Sequence, residues 1–113
     1  MDSVLTSIKK LLGITEEYKQ FDQDLIIHIN SVLMALTQIG VGPSEGMRIQ
    51  DDSTTWNDLL PNISNIEAVK TYVYLKVKMI FDPPTSSSVM DAMNRSISEY
   101  EWRLNINVDL PKE

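Results

Sequence analysis

Apolar positions along the chain recur with helical spacing in four segments separated by punctuation residues. Over residues 3–12, Val4, Leu5, Ile8, Leu11 and Leu12 share one face. Ser3 or Asp2 suits the N-cap, Lys9 and Lys10 suit the C-terminal dipole, and Gly13 closes the turn. Over residues 22–39, Leu25, Ile26, Ile29, Val32, Leu33, Leu36 and Ile39 form a broad face; Asn30, Ser31, Thr37 and Gln38 lie opposite, and Gly40 ends the segment. The third segment opens on the capping-box pattern Ser64-Asn65-Ile66-Glu67 and stops at Asp82-Pro83-Pro84. Val69, Val73, Val77 and Ile80 are its expected intramolecular core line. Tyr72, Leu75 and Met79 widen the apolar arc on one side, Tyr74 and Phe81 on the other. A helix this apolar is central, or is covered on two sides. The fourth segment, 88–105, starts at Ser88-Val89-Met90-Asp91 and carries the stripe Val89, Met90, Met93, Ile97, Tyr100 and Leu104.

Two stretches break the helical period. Residues 40–63 hold three glycines, two prolines and the cluster Asp51-Asp52-Ser53-Thr54-Thr55. They read as a loop of about twenty residues, longer than most connections in compact domains, with one helical turn possible at 55–60. At the other end, Asn105-Ile106-Asn107-Val108-Asp109-Leu110 alternates polar and apolar, the period of a strand. The expected architecture is all-α: a small bundle of four main helices, a long loop between helices two and three, and an extended C-terminal tail. Residues 1–104 form the helical domain and 105–113 the tail. Loop and tail are expected to be poorly ordered in a free subunit and to order on assembly.

Composition narrows the function. The 113 residues suit one domain, and 42% hydrophobic with 23% charged residues is an ordinary globular mix. The absence of cysteine excludes a disulfide scaffold, a thiolate metal site and a thiol nucleophile. Sixteen acidic against ten basic residues leave a net charge of −6, a poor balance for gripping phosphate backbones. No basic region followed by an apolar run opens the chain, and no run approaches a membrane span, so a soluble intracellular protein is expected.

Candidate chemistry is sparse. No phosphate-binding loop, dinucleotide fingerprint, zinc-protease motif, nucleophile elbow or calcium loop occurs. Gly40-Val41-Gly42-Pro43 follows a helix and reads as a helix stop. His28, the only histidine, lies at the edge of the second apolar face without a partner constellation. Asp51-Asp52 reads as a solvated loop. The expectation is a protein without catalytic residues, cofactor or metal.

What does stand out is apolar surface in the wrong place. Ile27 and Met34, seven residues apart, lie on the otherwise polar face of the second helix. Trp102 projects about 160° from Tyr100, opposite the stripe of the fourth helix. Two arrangements are open for Trp102: another segment folds back over it, or it packs on a neighbouring chain with Arg95 and Arg103 nearby. Packing on a neighbouring chain is the expected arrangement. The expected protein-interface residues are Ile27, Met34, Tyr72, Leu75, Met79, Trp102 and, on the tail, Ile106, Val108 and Leu110.

Phe81-Asp82-Pro83-Pro84-Thr85-Ser86-Ser87, followed by Glu99-Tyr100-Glu101-Trp102-Arg103-Leu104, resembles the small head-tail connector (adaptor) proteins of long-tailed bacteriophages. The likeness extends through Leu11-Leu12-Gly13-Ile14, Phe21-Asp22-Gln23-Asp24, Gln38-Ile39-Gly40-Val41-Gly42-Pro43 and Val69-Lys70-Thr71-Tyr72-Val73. The resemblance implies a structural virion protein of the neck, made in the host cytoplasm. It implies a helical-bundle subunit that assembles with copies of itself as a ring, commonly a dodecamer, below the portal protein. Such a ring extends the DNA channel and supports the head-completion (stopper) protein. DNA passes through without sequence-specific binding, and no membrane is involved. The alternative is a cytosolic helical protein–protein interaction module.

Overall fold

A computed structural model of the chain describes residues 3–61 and 65–109, and of 106–109 the backbone alone. The helices are α1 (Val4–Leu11), α2 (Asp22–Gln38), α3 (Trp56–Leu59), α4 (Ile66–Phe81) and α5 (Ser87–Asp109). The four long ones match the four periodic segments, and α3 is the single turn at 55–60. The fold is a small all-α bundle; among the described residues the β pairing amounts to one isolated bridge, Ser3 with Thr55.

Helix ends follow local chemistry. The Ser3 side chain accepts from the Thr6 N–H and caps α1. α1 and α2 then stop in the same way. Gly13 and Gly40 adopt positive φ, and the next residue donates its N–H to a carbonyl five positions back: Ile14 to Lys9 (2.8 Å) and Val41 to Leu36 (2.9 Å). α3 carries a full capping box between Thr55 and Asp58. The box expected at Ser64 involves a residue outside the described ones; Asn65 precedes α4 without a side-chain cap. α5 begins at Ser87, one residue before the expected start at 88, with the Ser86 hydroxyl accepting from the Val89 N–H at 3.4 Å.

α4 is the central element, packed on α2 along one side and α5 on the other, with α1 completing the cover. Its start-to-end direction opposes both neighbours. Phe21 at the start of α2 meets Phe81 at the end of α4, and the five residues 82–86 turn α4 straight back into α5. Val69, Val73 and Val77 have no exposure. Ile80, on the same line, is 49% exposed, because it lies at the helix end where no neighbour covers it. The overall extents, 43 × 36 × 21 Å, make the subunit about two helix diameters thick.

The connections contribute more than their composition suggests. Between α1 and α2, the Lys9 ammonium is buried (2% exposed). It donates to the carbonyls of Glu16 (3.1 Å) and Tyr18 (2.6 Å), and pairs with Asp22 at 2.8 Å. Leu11, expected on the apolar face, is exposed instead. The face of α1 is rotated so that its lysine, fully supplied with oxygen partners, points inward.

The stretch 40–61 is likewise built into the core, contrary to the expectation of a loose loop. Val41, Met47, Ile49, Trp56 and Leu60 are all buried. The Asn30 side chain clamps it, donating from Nδ2 to the Ile49 carbonyl (2.9 Å) and accepting the Ile49 N–H at Oδ1 (2.7 Å). Trp56 Nε1 donates to Ser7 Oγ at 2.8 Å, and the Val4 N–H donates to Thr54 O at 2.9 Å. Gly42 is needed for space as well as for its φ of 84°: a Cβ there would stand 2.9 Å from the Met47 side chain. The extended tail is also corrected. Residues 105–109 continue α5, since a short polar–apolar alternation cannot compete with propagation of a helix already formed.

Replacing Asn30 by alanine removes both bonds to Ile49 and leaves its backbone groups without partners. The expected loss is about 1–3 kcal/mol of unfolding free energy, measured by denaturant titration, with faster hydrogen exchange at the Ile49 amide. An unchanged exchange rate there would disprove the clamp.

Candidate assembly surfaces

Apart from Leu11 on α1 and Val89 at the start of α5, the exposed large apolar residues fall into three places. On α2, the broad apolar face meets the core and leaves Ile27 and Met34, each 63% exposed, along its outer side. On α5, Ile97 and Leu104 turn inward, which forces Trp102 outward, where it is 64% exposed. α2 and α5 both direct their apolar faces at α4, so the outer sides of the two helices form separate surfaces, and their C-terminal ends meet where Asn105 Nδ2 donates to the Ile39 carbonyl. The third place is one end of the bundle, where Tyr18, Phe21 and Phe81 form an aromatic chain with ring centroids 5.5 and 5.2 Å apart. Tyr18, Phe21 and neighbouring Ile80 are exposed. His28 borders this cluster, its ring 6.5 Å from that of Phe81.

The expected interface residues are thus dispersed. Ile27, Met34 and Trp102 are on the surface. Leu75 and Met79 are half-buried and pack on the subunit's own core. Tyr72 must be corrected: it is 1% exposed and belongs to that core, so it offers no surface to a neighbour. It lies where α5 crosses α4, and its hydroxyl donates to Glu101 Oε2 at 2.8 Å, with Lys76 Nζ 3.8 Å from the same oxygen. Ile106 and Val108 fall on the helical backbone of α5, but their side chains are outside the described residues, as is Leu110 altogether. The aromatic end cluster was not singled out from sequence. Its members come from the α1–α2 connection and the end of α4, and the one available signal is that Phe21 and Phe81 each sit at a helix boundary.

The remaining polar candidates are occupied locally. The Asp51 carboxylate accepts the backbone N–H and hydroxyl of Ser53, which holds its pKa below the usual aspartate value. Asp52 lies 3.5 Å from exposed Lys19. Among the described residues, no three His, Cys, Asp or Glu side chains are grouped as metal ligands would be, and no helix is long and apolar enough to cross a membrane.

A bundle whose buried polar groups are spent on its own loops, and whose exposed apolar residues lie on the outer sides of α2 and α5 and at one end, has the build of an assembly component. Residues 4–110 match the family model described as phage connector protein, and the chain belongs to that family of head-tail connectors. No curated protein and no solved structure matches it.

Tyr72 gives the bundle a measurable pH response. Burial first, then the hydrogen bond and charge of Glu101, push its pKa well above the ordinary tyrosine value. A raised pKa means that this stabilisation is full below the unfolded value of about 10 and declines as pH rises past it. Tyr72→Phe is expected to cost about 1 kcal/mol at neutral pH. Its stability deficit should shrink at alkaline pH. A deficit constant from pH 7 to 11, by denaturant unfolding, would show that Tyr72 does not titrate differently in the two states.

Proposed function

We propose that the subunit works in the virion neck as one member of a ring that sits below the portal protein, extends the DNA channel and supports the stopper and tail. The observation that carries this reading is the family match across residues 4–110. The disposition of apolar surface supports it. Two unlike patches on different helices, Ile27–Met34 and Trp102, suit head-to-tail contacts between copies of the chain, whereas a module docking on one partner needs a single patch. The aromatic cluster at the bundle end suits a contact along the ring axis, with the portal on one side or the stopper on the other.

The net charge of −6 has a physical use in such a ring. A channel through which DNA travels must not hold it, and acidic subunits keep phosphate affinity low. DNA is in this reading a passenger without sequence-specific contacts. The role is structural, with no catalytic step and no cofactor.

Trp102→Ala tests the reading. The substitution should leave the melting temperature of the free subunit nearly unchanged, because the side chain is mostly in solvent. It should abolish attachment to portal-bearing heads, followed by co-sedimentation. A large fall in melting temperature with attachment intact would place Trp102 in an intramolecular role and remove a main support of the assembly reading.

A further inference from the structure

We infer that neighbouring subunits join through the outer face of α5 on one and the outer face of α2 on the next, with Trp102 covering Met34 and Ile27, and Arg95 facing Asp24. This pairing rests on the ring reading and specifies its lateral contact. Three observations lead to it.

The first is charge. Arg95 lies two helical turns before Trp102 on the same line of α5, and Asp24 lies one turn before Ile27 on α2. Both are exposed, and among the described residues neither takes part in an ion pair. By contrast, Arg103 is already paired with Glu99 within its own helix. On its N-terminal side the α5 line carries Arg95 and, a turn further on, Asp91, neither of them in an ion pair; Arg95, the nearer to Trp102, is opposite in sign to Asp24 beside the α2 patch.

The second is height. α2 and α5 run in the same direction, and Asn105 Nδ2 reaches the Ile39 carbonyl at 3.2 Å, so their C-terminal ends are level. Rotation about a ring axis along the bundle preserves that level from one subunit to the next. Trp102, one turn below Asn105, then stands near the level of Leu36. Helical side chains lean toward the N-terminus, which brings the indole over Met34. Arg95 stands near the level of Ile29 and leans the same way, toward Asp24.

The third is shape. Ile27, Ser31 and Met34 share the exposed line of α2 at i, i+4 and i+7, and Asn30 beside them is taken up by the Ile49 backbone, so the free surface open to a large side chain is this line of three. Ser31 is small and exposed between the two larger apolar residues, and Met34 is flexible enough to fit an indole edge. Because the two faces are different, the contact is heterologous, and repetition with a closing rotation makes a ring.

The natural chain has no cysteine, so introduced pairs report cleanly. Ser31 and Ser98 are both exposed and fall on the same flank of the inferred contact at nearly equal height. Full-length Ser31→Cys/Ser98→Cys assembled on the cognate portal is expected to give, on mild oxidation, a ladder of covalent oligomers. The single variant Ser31→Cys should give none. In parallel, Asp24→Arg and Arg95→Asp should each lower ring yield on the portal by about tenfold or more, and the double reversal should restore it; a mere loss of helix stability would not be rescued. A portal-bound ring of normal mass without cross-links and without charge rescue would overturn this pairing while leaving the ring reading intact. A cross-link from Ser31→Cys alone would also overturn it, because like faces would then meet. Wild-type chains bound to the portal as separate monomers, by native mass measurement, would instead overturn the ring reading, and this contact with it.

Discussion

A helix that is apolar around most of its circumference cannot stand at the edge of a small protein, and α4 imposes that constraint on the whole subunit. Val69, Val73 and Val77 are shut off from solvent, and Tyr72 nearly so, on an arc too wide for a single neighbour. α2 and α5 must therefore lie on both sides, with α1 closing a third. In a domain of this size the core is thin, and most apolar residues of the flanking helices are drawn to the same side. Their opposite sides are left to solvent or to other chains. The division of α2 and α5 into a core face and an outer face, on which the proposed assembly depends, follows from the demand of α4 for cover.

Two polar side chains complete this core from within the loops. The Lys9 ammonium would be costly inside a protein without partners. Two carbonyls and the Asp22 carboxylate supply them, and in doing so fix the path from α1 to α2 and the start of α2. Asn30 offers the Ile49 backbone a donor and an acceptor in the arrangement of a strand partner. A twenty-residue connection thereby becomes a layer over α1 and α2, carrying Trp56 and Ile49 into the core. These contacts commit the interior polar groups to structure. The surface features left uncommitted are apolar patches and isolated charges, which suit docking between proteins better than chemistry on a small molecule.

The family assignment and the surface agree on the kind of work this protein does. A connector must hold neighbours through its sides and successive components through its ends. Surface of that kind is inconspicuous in a single subunit, because each patch is only a few residues wide. In the proposed ring it would gain strength by repetition, since closure multiplies a modest contact by the number of members and leaves no free edge.

The periodicity of the chain by itself determined the four long helices, their glycine and proline stops, and the outward position of Ile27, Met34 and Trp102. These are properties of one helix and its own axis, set by spacing of about 3.6 residues and by local capping chemistry. Tertiary structure decided the rest, for a physical reason that recurs at each residue. A helical wheel shows which way a side chain points but not whether a neighbour extends far enough to cover it. Hence Ile80 and Val89, on correctly assigned lines, are half exposed, while Tyr72, on the flank, is buried where α5 crosses it. Lys9 and Asn30 looked like surface residues because polarity implies solvent unless partners are at hand, and their partners lie in loops brought near only by folding. Residues 105–109 alternate like a strand, yet continue α5, because a helix in place extends more readily than an isolated strand can pair.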